Sequence, residues 1–126
     1  MFKKIDHVEI IPTDINKTIE FYVSILGFKV RERYAVPRAP MKEIAYLELG
    51  GSVIEIISVD NPATASQKEW EVGYRAIAIE VEDMDATVNY LKEKGVAITW
   101  GPVAIGKAKR AEIKDPDGLP IELRQW

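Results

Sequence analysis

Lys114-Asp115-Pro116-Asp117-Gly118-Leu119-Pro120-Ile121-Glu122-Leu123 is the stretch around which the chain is organised. Asp-Pro-Asp-Gly is turn chemistry: proline presets φ, aspartate bonds its own backbone, and glycine takes a positive φ. An apolar run with one carboxylate inside it follows. Pro120 cannot donate to a ladder, so this strand is expected to start at an edge or a bulge. The same design occurs earlier, as Gly50-Gly51-Ser52-Val53-Ile54-Glu55-Ile56. Counted from the last glycine, Glu55 and Glu122 hold the same place, which points to an internal repeat.

The rest of the chain fits two copies of one plan. Lys4 to Ile11 alternates as a strand, and Asp14 is a suitable cap for a helix from Ile15 to Leu26. Ile15, Ile19, Tyr22, Val23 and Leu26 give that helix an apolar stripe, and Gly27 stops it. Strands are expected over Phe28–Val36, Glu43–Leu49 and Ser52–Ser58. The pattern then restarts: a strand from Arg75 to Val81, a helix capped by Asp83 and stopped by Gly95, and strands over Val96–Val103, Ala108–Ile113 and Leu119–Arg124. Asp14 and Asp83 lie 69 residues apart, Gly27 and Gly95 68, Glu55 and Glu122 67. The expected organisation is one domain, 1–126, with repeats 4–58 and 75–126 joined by a polar linker, 59–74. Its class is α+β: two β-α-β-β-β modules whose curved antiparallel sheets form a cleft, with helices on the outer faces.

Composition narrows the function. The chain has 126 residues, 47% hydrophobic and 29% charged, as in an ordinary soluble domain. A net charge of −3 argues against a nucleic-acid partner, and Lys107, Lys109 and Arg110 read as a solvated loop or strand end. No cysteine is present, which removes thiolate chemistry and disulfides. No apolar run is long enough for a membrane span, and the cytoplasm is the expected location.

The repeat says which positions correspond. His7 matches Ala76, each seven residues before its capping aspartate, and Glu55 matches Glu122. Strand parity puts His7 and Glu9 on the face away from Val8 and Ile10, and points Ala76 and Ala78 the same way. Arg124 shares the face of Glu122. The expected cleft therefore carries His7, Glu9, Glu55, Glu122 and Arg124. In the plainer reading His7 is a hydrogen-bonded structural residue, and Glu55 and Glu122 accept from Tyr46 or Arg124. Trp70, Trp100 and Trp126 are then core or rim, with cleft lining as the alternative.

With these residues in place, the chain resembles the vicinal oxygen chelate superfamily, which includes glyoxalase I, bleomycin-resistance proteins and extradiol dioxygenases. The resemblance runs from Ile5 to Leu123. It is carried by Asp6-His7-Val8, Phe21-Tyr22, Leu26-Gly27-Phe28, Asp115-Pro116-Asp117-Gly118 and Ile121-Glu122-Leu123. It implies paired modules enclosing a cleft, with a divalent metal in many members. In glyoxalase-like members the first and last strands of each half supply the ligands. Carried over, these positions are His7, Glu55, Ala76 and Glu122. One imidazole and two carboxylates suit Zn²⁺, Ni²⁺, Mn²⁺ or Fe²⁺. Ala76 offers no donor, so the implied set is incomplete at that corner.

The resemblance also gives Glu122 the task of moving the substrate proton; Glu9 and Arg124, placed in the cleft by strand parity, are the candidate substrate-binding residues. Extradiol dioxygenases and fosfomycin-resistance enzymes use two histidines, and this chain has one. Methylmalonyl-CoA epimerases carry Gln and His where this chain has Glu55 and Ala76. Two function classes follow. One is a divalent-metal-dependent lyase or isomerase acting on a small molecule with vicinal oxygens, similar to lactoylglutathione lyase. The other is a metal-free binding protein of the bleomycin-resistance kind, its acidic cleft suited to a cationic ligand. A homodimer is expected, since small halves leave sheet edges and faces to be covered.

Overall fold

A computed structural model describes residues 1–66 and 68–126. The chain divides into two compact units, Met1–Thr64 and Ala65–Trp126, and the division falls inside the expected linker 59–74. Gln67 of that linker lies outside the described residues.

The first unit runs β1 (Val8–Ile10), α1 (Ile15–Glu20), β2 (Lys29–Arg38), β3 (Met41–Leu49) and β4 (Ser52–Val59), with sheet order β1-β4-β3-β2. The second runs β5 (Ile77–Glu80), α2 (Met84–Glu93), β6 (Trp100–Ile105), β7 (Ala108–Lys114) and β8 (Pro120–Gln125), with order β5-β8-β7-β6. Each is a β-α-β-β-β module with a four-stranded sheet. The sheets are mixed rather than wholly antiparallel: β1 pairs with β4, and β5 with β8, in parallel. The connection between the parallel partners runs through the helix and the two intervening strands of each unit. The repeat extends to register. Val8 opposes Ile54 and Glu9 opposes Glu55, while Ile77 opposes Ile121 and Ala78 opposes Glu122.

The Asp115 turn is built as its sequence demands. The buried Asp115 carboxylate accepts the N–H groups of Asp117 and Leu119 at 2.9 and 3.0 Å, and Gly118 sits at φ +80°. Of the edge or bulge expected for the start of the strand behind it, the edge does not hold, because β8 lies between β5 and β7. Pro120 is tolerated there as the strand's first residue.

Both helices start on aspartate. Asp14 accepts from the backbone N–H groups of Asn16 and Lys17, and Asp83 from that of Ala86. They end differently. In α2, Val96 N–H bonds Leu91 O and Gly95 N–H bonds Lys92 O, a Schellman closure. The first helix stops being α-helical at Glu20 and continues as a π-turn over Phe21–Ile25, with Leu26 N–H on Phe21 O at 3.2 Å. Asp14 to Gly27 is one residue longer than Asp83 to Gly95, and the π-turn absorbs that residue. It also rotates the apolar stripe. Thr18 and Phe21 are buried with Ile15, Ile19 and Tyr22, whereas Val23 and Leu26 are only partly covered.

Each helix covers one face of its own sheet. In the first unit Ile10, Ile54, Ile56, Ala45 and Leu47 are buried; in the second, Ala111, Ile113, Ile121 and Leu123 join Met84, Val88 and Leu91. Fully burying each large aliphatic side chain contributes about 1.5–3 kcal/mol. Val8, expected on the helix side, is 41% exposed at the start of the edge strand β1.

Candidate functional site

On the first sheet, parallel pairing sets Glu9 of β1 beside Glu55 of β4, and antiparallel pairing sets Tyr46 of β3 on the other side of Glu55. His7 precedes Glu9 by two residues and meets the same group. Its Nε2 lies 2.9 Å from Glu55 Oε2 and 4.0 Å from Glu9 Oε1, and its Nδ1 lies 2.9 Å from Asp6 Oδ2. One ligand atom each from His7, Glu9 and Glu55 falls within 4.8 Å of the others. Glu55 is 5% exposed, Glu9 far more open. A carboxylate buried to that degree requires donors, and His7 and the Tyr46 hydroxyl supply them.

The electrostatics follow from these contacts. The hydrogen bond to Asp6 raises the His7 pKa above its ordinary value; burial opposes the rise, and the Glu55, Asp6 and Glu9 charges reinforce it. The same bond holds Asp6 below the usual carboxylate range. Donation to Glu55, then burial, then contact with Tyr34 pushes the Tyr46 phenol far up, so it remains a neutral donor. Tyr46 also meets the His7 ring edge-on at 5.9 Å and lies under the Arg31 guanidinium at 5.6 Å.

The donor set fits a divalent cation. With Nδ1–H directed at Asp6, the imidazole can offer Nε2 toward the two carboxylates, the outer-shell arrangement commonly found behind a ligating histidine. One nitrogen and two carboxylates satisfy Zn²⁺ or Ni²⁺ and leave coordination positions for small molecules.

Of the residues expected from the sequence, His7, Glu55 and Glu9 come together. Glu122 and Arg124 belong to the second unit and pair with each other: Arg124 Nε and Nη2 reach Glu122 Oε1 at 2.9 and 2.7 Å. The simpler expectation of Tyr46 on Glu55 and Arg124 on Glu122 describes these contacts. Ala76 is exposed and lies just before β5. Arg110 is not a solvated strand end. It sits on β7 with Nη2 2.7 Å from Glu112 Oε1 and Nε 3.4 Å from Glu122 Oε2. Asp6 takes a role at the site that strand parity alone does not give it. Its signal was adjacency to the only histidine.

Comparison with known proteins places the chain among relatives. The profile of the Glyoxalase/Bleomycin resistance protein/Dioxygenase superfamily matches residues 4–123. The chain is 38% identical to the uncharacterized protein YwkD of Bacillus subtilis, over 98% of this chain and 97% of that one. It is 35% identical to a probable lactoylglutathione lyase of Vibrio cholerae, over 89% and 83%. It is 32% identical to human mitochondrial methylmalonyl-CoA epimerase, over 97% and 73%. Among solved structures, a glyoxalase family protein from Enterococcus faecalis superposes with a TM-score of 0.84 at 31% identity, covering 98% of each chain. TnmS3, an antibiotic-binding protein from Streptomyces, shares the fold at 24% identity, with a TM-score of 0.71 over 98% of this chain and 96% of that one. Among the described residues no helix is long and apolar enough to cross a membrane.

Proposed function

Because the chain belongs to the Glyoxalase/Bleomycin resistance protein/Dioxygenase superfamily, we propose that it is a divalent-metal-dependent lyase or isomerase of the lactoylglutathione lyase kind. Its substrate is a small molecule with vicinal oxygens. The convergence of His7, Glu9 and Glu55 within 4.8 Å carries this reading. These three residues would hold the ion. When bound, the ion supplies Lewis-acid polarisation of substrate oxygens. Asp6 orients the imidazole, and Tyr46 holds Glu55. Glu9 thus takes a ligand's part instead of the substrate-binding part expected from the sequence, supplying a third donor that Ala76 does not. Glu122, expected both as ligand and as proton carrier, is proposed for the second role. Arg124 occupies its Oε1, and Oε2 is the freer atom to take and return a substrate proton. The working form is proposed to be a homodimer in the cytoplasm.

The test is metal analysis of protein purified without chelators, with calorimetric titration of Ni²⁺ and Zn²⁺. Retained metal, binding lost in His7→Ala, and isomerisation of a thiohemiacetal that Glu122→Gln abolishes would support the proposal. A second reading is favoured by one observation: Asp6 and Glu55 already satisfy both nitrogens of His7. On that reading the protein is a metal-free small-molecule binder. A folded protein that takes up neither ion decides for it.

A further inference from the structure

The second sheet carries a charge pattern that its packing does not require. On the face opposite the buried residues, Arg110 of β7 lies directly across from Arg124 of β8, and Glu112 directly across from Glu122. Like charges directly opposite each other in an antiparallel pair are unfavourable, and exchanging one residue pair would cure both clashes. The carboxylate row is neutralised. Glu112 receives Arg75 and Arg110, each at 2.7 Å, and Glu122 receives Arg124 and Arg110. A third carboxylate, Glu80 of β5, lies opposite Arg124 on the same face, but among the described residues it forms no ion pair with these arginines.

The three tryptophans of the chain all lie on these arginines. Trp100 covers Arg110 at 5.1 Å, Trp126 covers Arg124 at 4.7 Å, and Trp70 covers Arg75 at 5.1 Å. The indoles are themselves 43%, 75% and 80% exposed in that order. A ring over the flat face of a guanidinium leaves its N–H edge free to donate in plane. Arg110 Nε is buried against Glu122 Oε2, and among the described residues neither Arg110 nor Arg124 donates a hydrogen bond from Nη1. Ala78 beside Glu122 is exposed and adds little bulk to this face.

We propose that Arg110 and Arg124, flanked by Trp100 and Trp126, bind a small planar carboxylate such as an aromatic acid. The carboxylate relieves the repulsion across the arginine row and accepts paired N–H bonds, the geometry in which arginine is strongest. The ring attached to it stacks on an exposed indole. This rests on the reading of the chain as a small-molecule protein, but not on an ion at His7.

The test is titration of benzoate and of neutral, isosteric benzamide, in EDTA, followed by tryptophan fluorescence and by NMR shifts of the indole N–H groups. Benzoate should bind saturably and at least tenfold more tightly than benzamide. Arg110→Gln and Arg124→Gln, checked for folding by circular dichroism, should each weaken benzoate at least tenfold without weakening benzamide. Trp126→Ala, at an exposed position, should weaken both ligands. Equal affinity for benzoate and benzamide, or full benzoate affinity in folded Arg124→Gln, overturns the proposal. Because chelator is present, neither outcome depends on the proposed metal site.

Discussion

His7 and Glu55 meet through Nε2 and Oε2 at 2.9 Å, while the opposite nitrogen of the same ring meets Asp6 at 2.9 Å. One imidazole therefore links an exposed carboxylate to a buried one. Without a bound ion the charged ring is favoured, and the His7 pKa lies above 6.5, chiefly through Asp6. A raised folded-state pKa contributes stability that is fully present below the unfolded value and lost as pH rises through the folded one. The metal-free protein should therefore lose stability from about pH 6.5 upward by this term. NMR titration of the His7 ring should give a midpoint above 6.5, and Asp6→Asn should bring it down. A wild-type midpoint at or below 6.5 would remove the pairing.

Tyr46 is expected to act on the site through Glu55. Tyr46→Phe keeps the ring contacts with His7 and Arg31 but removes the hydroxyl donor from a carboxylate only 5% exposed. The loss should cost about 1–2 kcal/mol of unfolding free energy. The His7 midpoint should rise further, since Glu55 then relies more on the imidazolium. Denaturant unfolding together with the ring titration checks both, and an unchanged midpoint would mean that Tyr46 is only packing.

The repeat was legible because turn and cap residues recur at nearly constant spacing: Asp14 with Asp83, Gly27 with Gly95, Glu55 with Glu122. It also gave the parity that puts Glu9 and Glu55 on one face. Three features were not legible. The π-turn at Phe21–Ile25 appeared only as a one-residue change of offset, because nothing in the residue types distinguishes an inserted residue in a helix from one in a loop. The interior position of β8 was hidden because proline suits both a strand start and an edge. The Arg110, Glu112, Glu122 and Arg124 network needed the β7–β8 register, and alternation along β7 alone does not set which residues lie opposite.

Two glycines at similar positive φ should respond differently to a methyl group. Gly95, at φ +78°, has open space within 4 Å where a Cβ would lie, so Gly95→Ala should cost only the left-handed conformation, about 1 kcal/mol. Gly101, at φ +76°, would place that carbon 2.7 Å from the Arg110 carbonyl oxygen and 3.2 Å from Ala111 Cα. Both are backbone atoms and cannot rotate away, so β6 must move off β7. Gly101→Ala should cost several times as much and disturb Trp100 on Arg110, visible as a change in tryptophan fluorescence. Equal thermal shifts for the two variants would contradict the close approach.

Metal affinity should report the competition at His7. An ion on Nε2 must displace the proton that Asp6 and Glu55 favour, so binding releases a proton and tightens as pH rises through the raised His7 pKa. Asp6→Asn changes two things in opposite senses. It lowers the His7 pKa, which helps the ion at acid pH, and it replaces the charged outer-shell acceptor with a neutral amide oxygen; changes to such outer-shell partners typically weaken binding about 10–100-fold. The variant's deficit should therefore be largest near pH 8 and shrink toward pH 6. Glu9→Gln is isosteric but gives up a charged donor, so it should weaken Ni²⁺ roughly tenfold or more at every pH. Glu9→Gln should leave stability unchanged, since Glu9 is exposed, whereas Asp6→Asn should flatten the pH dependence of stability above pH 6.5. Calorimetry of Ni²⁺ binding at three pH values, in buffers of different ionisation enthalpy, measures affinity and released protons together. Binding that is independent of pH, or untouched in Glu9→Gln, would place the ion somewhere other than His7, Glu9 and Glu55.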